Sequence, residues 1–266
     1  MDEALLSIAS KHPAFQLALS LTKRNERANM GKYLVETSSF VNQALRSHAA
    51  VDAVFVVDGA PESIHQLCAE RDLPLYTTSR GLMQKLVGTT YETDVTALAV
   101  VGKAEANLSQ VVDGGGLLLV GESIQDPRNV GVLIRTAEAA GCRAIALSAD
   151  SAEPWCRAAV RSSTGSVVRL PIHLYSAAQD IILPLRSAGF TVVAGSAHAP
   201  DSALVTNLTG RPMAVLVGNE TTGLRPETTQ MASKFVSLPM QPGGPSSLNV
   251  TVAAGILLYL TLGPRC

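Results

Sequence analysis

The feature that most limits the folds open to this chain is a series of short runs that are apolar at all or most positions. They are Ala53–Val57, Ala97–Val101, Gly116–Val120, Ala144–Leu147, Val167–Leu170, Thr191–Ala194, Ala214–Val217 and Phe235–Leu238. A strand with one wet face alternates apolar and polar residues, whereas a strand apolar throughout is covered on both faces, as in parallel sheets. Helix-like segments separate the runs: Phe40–His48, Ile64–Arg71, Gly81–Val87, Val130–Ala140, Ala177–Ala188 and Val250–Leu262. The alternation predicts an α/β fold.

The stretch KAEANLSQVVDGGG, residues 103–116, is polar and ends in three glycines, which suit turns and add nothing to a core. It is expected to be a linker between an N-terminal domain, 1–105, and a larger C-terminal one, 114–266. The composition, 47% hydrophobic and 16% charged, supplies ample core and excludes a disordered chain. A net charge of −1 excludes a strongly basic nucleic-acid coat, but leaves room for a local basic patch. One such cluster is Lys23, Arg24, Arg27 and Lys32, ahead of the strand-like Tyr33-Leu34-Val35. It reads either as a phosphate-contacting edge or, since Glu26 is interleaved, as a solvated helix face. Cys68, Cys142, Cys156 and Cys266 form no CxxC pair and have no histidine cluster, so no metal site is expected. The N-terminus carries acids where a signal peptide has bases, and the apolar run Ala253–Leu262 is half of the roughly 20 residues that span a bilayer. That run is expected to be a buried helix, and the protein cytoplasmic.

Three segments look like parts of one site. The first, Asp126-Pro-Arg-Asn-Val-Gly-Val-Leu-Ile-Arg135, follows a strand and opens a helix. Pro127 suits a first helical turn, and Asn129 can cap. Arg135, six residues on, lies roughly 120° around the axis from Asn129. The plain alternative is a capped helix with a surface arginine. The second, Ala214-Val-Leu-Val-Gly-Asn-Glu-Thr-Thr-Gly-Leu224, ends an apolar strand in Gly218, where a ligand could lie against bare backbone and meet Asn219 and Glu220. The third runs from Leu238-Pro-Met through a Pro/Gly-rich loop to Ser247-Leu-Asn249 and an apolar helix. Ser247 and Asn249 sit where caps belong, and the stiff loop could cradle a small molecule. The G-x-G-x-x-G and GK[ST] phosphate loops are missing, which removes the usual markers of hydride transfer and nucleotide hydrolysis.

Together, DPRNVGVLIR, GNETTGL and SLNVTVAAGILLY resemble the three signature motifs of the SpoU (TrmH-type) RNA 2′-O-ribose methyltransferases of the SPOUT superfamily, in order and at similar separations. The stretches KYLVET, VDAVFVVDG and GTTYETDVTALAVV resemble the ribosomal-protein-like RNA-binding domain that many members carry, and Arg161–Pro171 matches a further family stretch. The resemblance implies a trefoil-knotted catalytic domain behind a smaller α/β domain, and a homodimer with its site at the subunit interface. It also implies S-adenosylmethionine as methyl donor, held by Leu216, Val217, Gly218, Asn219, Leu238, Pro239, Met240, Ser247, Leu248 and Asn249. Arg135 would ready the ribose hydroxyl, with Asn129, Ser247 and Asn249 fixing it by hydrogen bonds and Glu220 holding the geometry. RNA would meet Lys23, Arg24, Arg27, Lys32, Arg128 and Arg161. Ribosomal RNA, of the large subunit first, is the expected substrate; transfer RNA, or a catalytically silent RNA-binding role, is the alternative. Thr221 stands where the second motif usually has glycine.

Overall fold

The computed structural model describes residues 6–88 and 95–262, in two compact units. The first comprises Met1–Ala104 with Trp155–Arg169. Its elements are β1 (Leu6–Ser7), α1 (Pro13–Ser20), α2 (Arg24–Met30), β2 (Lys32–Glu36), α3 (Ser38–Arg46), β3 (Val51–Val56), α4 (Glu62–Glu70), β4 (Leu75–Thr77), α5 (Arg80–Val87) and β5 (Ala97–Gly102). Gly31, at φ +62°, ends α2 and turns the chain into β2. The sheet order is β1-β4-β3-β5-β2. The apolar run of β5 pairs antiparallel with both β2 and β3, against the parallel expectation. Its apolar character reflects cover on both faces: Phe15, Ala18 and Leu86 of α1 and α5 pack with Leu98 and Val100, while α3 packs on the sheet as well. Two-sided burial, not strand direction, is what such a run reports.

The second unit comprises Glu105–Pro154 and Leu170–Cys266. It opens with α6 (Leu108–Val112), inside the stretch expected to be a linker. Asn107 and Gln110 form a capping box there, and Ala106 and Val111 join the core, so residues 105–112 belong to a folded layer. Then follow β6 (Leu117–Gly121), α7 (Pro127–Ala139), β7 (Ala144–Ser148), α8 (Arg157–Ser162, part of the first unit), β8 (Ile172–Tyr175), α9 (Ala178–Ser187), β9 (Thr191–Gly195), β10 (Asp201–Ser202), β11 (Met213–Val217), α10 (Pro226–Met231), β12 (Lys234–Ser237) and α11 (Val250–Thr261).

All seven strands pair in parallel, in the order β10-β12-β9-β11-β6-β7-β8. The chain builds outward from β6 through β7 to β8, then crosses back, and β11 lies between β6 and β9. The expected strand Val167–Leu170 is instead a 3-10 turn, Ser166–Val168, and the strand is β8, whose central His173 and Leu174 are half-buried and hid it from an apolar count. The helix α11 is buried on one side only: Val252, Ile256 and Tyr259 are 49%, 37% and 54% exposed. That stripe, at i, i+4 and i+7, corrects the expectation of a buried helix.

Candidate functional site

Because the strands run in parallel, the carboxyl ends of β6, β9, β11 and β12 share one edge, where open α/β sheets bind ligands. The loop after β6 enters α7 through Asp126, whose Oδ1 accepts the Arg128 N–H at 2.8 Å, with Pro127 in the first turn. Asp126 is therefore the cap expected of Asn129. This frees the Asn129 side chain, whose Nδ2 donates to Glu220 Oε1 at 2.8 Å. Glu220 also accepts the backbone N–H of Asp126 on Oε1 (3.2 Å) and of Gln125 on Oε2 (3.1 Å). The carboxylate after β11 thus clamps the amino end of α7, where the helix dipole favours negative charge. On the third segment, Asn249 caps α11 by accepting the Thr251 N–H at 2.9 Å, and its Nδ2 donates to Asn129 Oδ1 at 3.4 Å. Asn129 is where the three segments meet.

Beside this junction lies a cleft of about 200 Å³. Of the ten residues expected to hold a donor, Val217, Gly218, Asn219, Leu238, Met240, Ser247 and Leu248 line it. Leu216 is fully buried in the sheet core, and Pro239 and Asn249 are not in the lining. Gly218 is required for a reason other than ligand approach. A Cβ there would stand 2.3 Å from backbone atoms of Gly223 and Leu224, because Asn219 and Gly223 close a tight antiparallel bridge. Gly218→Val should therefore collapse the loop, costing about 1–3 kcal/mol and the cleft with it, read as a fall in Tm and loss of ligand heat in titration. The Asn219 side chain serves that same loop, with Nδ2 donating to Ser123 O and Oδ1 accepting from Thr221 and Thr222 N–H. Thr221 does not need the left-handed backbone conformation, so its Cβ is accommodated where glycine is usual. Gly195, Ser196, Ala197 and His198 after β9 form a further wall, outside the three segments singled out from the sequence. Its signal was there: an apolar strand ending in glycine and then a small polar residue, the pattern that marked β11.

Arg135 is exposed on α7 and makes no hydrogen bond or ion pair among the described residues. The expected bonds to it from Asn129, Ser247 and Asn249 are not made: Asn129 and Asn249 bond as above, and Ser247 is exposed in the cleft wall. Of the basic set, Arg27 is turned inward. Arg27 is buried and its Nη1 donates to Leu21 O and Thr22 O. Lys32 pairs with Asp52, Arg128 with Asp126, and Arg161 holds the buried Glu36 together with Arg157. Lys23 and Arg24 are exposed.

A second polar cluster buttresses the loop after β6, and no motif announced it. Glu122, 1% exposed, accepts from Thr228 Oγ1 (2.6 Å) and Arg225 N (2.9 Å), while Asp150 accepts from Ser148 Oγ, Ser123 Oγ and Arg225 Nη2. Burial raises the Glu220 and Asp150 pKa values, but the hydrogen bonds from Asn129 and the backbone, and from Ser148 and Ser123, outweigh it and hold both carboxyls below their ordinary values. Such groups bind fewer protons folded than unfolded. Their stabilisation is complete above the unfolded value, about 4, and drains away as pH falls through the folded one. The urea midpoint should accordingly drop below about pH 4, and Glu220→Gln should be less stable at neutral pH with a shallower acid slope.

The SpoU rRNA Methylase family model matches residues 116–259, and the model for the thiostrepton-resistance methylase N terminus matches residues 8–114. A 23S rRNA (guanosine-2′-O-)-methyltransferase, RlmB of Nitrosomonas europaea, is 33% identical over 180 residues, covering 66% of this chain and 68% of that one. The AdoMet-bound rRNA methyltransferase of Sinorhizobium meliloti shares the fold, with a TM-score of 0.85 over 97% of this chain and 96% of that one at 22% identity. The SpoU methyltransferase AviRb of Streptomyces viridochromogenes, in complex with AdoMet, is 26% identical with a TM-score of 0.82, covering 94% and 97%.

Proposed function

The chain belongs to the SpoU rRNA methylase family, and on that premise we propose that it is an S-adenosylmethionine-dependent RNA 2′-O-ribose methyltransferase acting on ribosomal RNA, large-subunit RNA first among candidates. The observation that carries this reading is the convergence of three distant loops on Asn129 beside a cleft at the carboxyl edge of a parallel sheet. The cleft suits the donor. Val217, Leu238, Met240 and Leu248 supply apolar walls for a nucleobase, while Ser246, Ser247 and His198 supply polar contacts for the ribose and amino-acid ends.

When bound, the donor supplies an electrophilic methyl on a sulfonium; the protein must align an RNA hydroxyl with it and manage the proton. Glu220 accepts three N–H donors and is held in its charged form, so it acts as a brace and is a poor base. It fixes Asn129, which with Asn249 borders the place where the hydroxyl would be presented. Alignment of this kind supplies several kcal/mol of the barrier. Arg135 faces solvent, where an RNA phosphate and the reacting hydroxyl can reach its guanidinium.

The protein is proposed to work as a homodimer in the cytoplasm. The exposed stripe Val252, Ile256 and Tyr259 on α11 offers an apolar surface beside α7, which carries Arg135. Among the described residues, Cys68, Cys142 and Cys156 are free thiols and no helix is long and apolar enough to cross a membrane. Incubating the protein with methyl-labelled S-adenosylmethionine and ribosomal RNA, then digesting to nucleosides, should yield a 2′-O-methylnucleoside. Label found only on a base, or none with donor binding also absent, would overturn the reading.

A further inference from the structure

Resting on the donor reading above, we propose that His198 is a donor-binding residue whose imidazole donates a hydrogen bond to the α-carboxylate of S-adenosylmethionine. The turn that carries it is pinned on both sides. Ser196 N–H donates to Val236 O on β12 at 3.0 Å, His198 N–H donates to Ser196 Oγ at 3.3 Å, and Ala199, which follows, is buried. The backbone is therefore held while His198 itself is exposed and lines the cleft. The ring makes no hydrogen bond among the described residues, unlike His173, whose Nδ1 meets Ala106 O, and His12, whose Nδ1 accepts from Ala14 N–H.

The charge inventory of the cleft gives the ring its partner. Its lining contains two titratable side chains, His198 and Glu220, and no lysine or arginine. The donor brings two positive groups, the sulfonium and the α-ammonium, and one negative group, the carboxylate. Glu220 lies on the side of Asn129 and α7, where it favours the positive reacting centre. The carboxylate needs N–H or O–H donors; Ser246 and Ser247 offer hydroxyls, and of the two side chains in the lining that carry nitrogen, Asn219 has its Nδ2 committed to Ser123 O, which leaves His198. An imidazole supplies a donor whether or not it is protonated, and a hydrogen bond to a charged group is among the stronger kinds.

The test pairs the variant with a ligand lacking the partner. Titration calorimetry would compare S-adenosylmethionine with decarboxylated S-adenosylmethionine on the wild-type protein, His198→Ala and His198→Asn. The expected result is a Kd for S-adenosylmethionine raised about tenfold by His198→Ala, largely restored by His198→Asn, with the Kd for the decarboxylated donor changed less than about twofold. Equal weakening of both ligands would place the contact on a part of the donor other than the carboxylate and overturn the assignment. No weakening of either would remove His198 from donor binding. A wild-type protein that binds neither ligand would overturn the methyl-donor reading itself, an outcome distinct from the other two. Retained binding of the decarboxylated donor by His198→Ala also reports that the variant is folded.

Discussion

Arg135→Ala should lower methyl transfer to RNA by 10²–10⁴-fold (on the order of what a positioned charge or acid–base group contributes) while leaving the Kd for S-adenosylmethionine within about twofold. The split follows from placement. Arg135 is absent from the cleft lining, so donor binding does not feel it. It lies six residues past Asn129 on α7, a rise of about 9 Å, exposed and without a hydrogen-bond or ion-pair partner among the described residues. To attack, the 2′-oxygen must give up its proton to solvent or an adjacent phosphate, and the negative character this leaves on the oxygen has to be held until the new O–C bond forms. A guanidinium, with fixed charge and five donors, can hold that oxygen and an adjacent phosphate together. Arg135→Lys keeps the charge without the planar fork and should recover only part of the rate. Single-turnover transfer with donor and RNA both saturating is the measurement. A rate within threefold of wild type would strip Arg135 of this role, and a rate loss matched by donor loss would make it a binding residue.

The strand–helix alternation made the parallel sheet legible, because β6, β7 and β11 are buried along their length and β9 at its three central residues, and these strands are therefore apolar at most positions. The same criterion misread β5, since a helix layer on each side of an antiparallel sheet leaves the same mark. It also overlooked β8, where His173 bonds Ala106 O and interrupts the pattern. The three segments identified Asn129, Glu220 and Asn249, and these share one hydrogen-bond network. Their individual tasks were less legible. A motif shows which residue types recur, not which atoms they face, so Gly218 was read as a ligand approach when it faces the backbone of its own loop. Arg27 sits in a basic run, yet it is buried and its guanidinium serves the Leu21 and Thr22 carbonyls. Charge counted along a sequence cannot distinguish a solvated guanidinium from one satisfied within the fold. His198 was passed over because its signal lies in where β9 ends, which depends on strand order.

If Arg135 serves the partner's cleft, two damaged subunits should rescue each other. Arg135→Ala leaves the cleft whole, while Ala253→Phe, on the α11 wall, fills it and leaves Arg135 in place. Random mixing makes about half of the dimers mixed, and each carries one site with an intact cleft and a partner's intact arginine, so about a quarter of wild-type activity should return. If Arg135 acts on its own chain's cleft, the mixture should stay as inactive as its components. The same hypothesis assigns the exposed stripe on α11 to the subunit contact. Ile256→Glu with Tyr259→Glu would place two like charges per subunit into an apolar surface, a cost of several kcal/mol across the interface. Light scattering should then report a monomer whose transfer is down at least 10²-fold, while donor binding, which draws on residues of one chain, survives. A double variant that stays dimeric would move the contact elsewhere. A monomer that still methylates RNA at the wild-type rate would show that Arg135 reaches its substrate without a partner, since α7 and α11 pack side by side in every subunit.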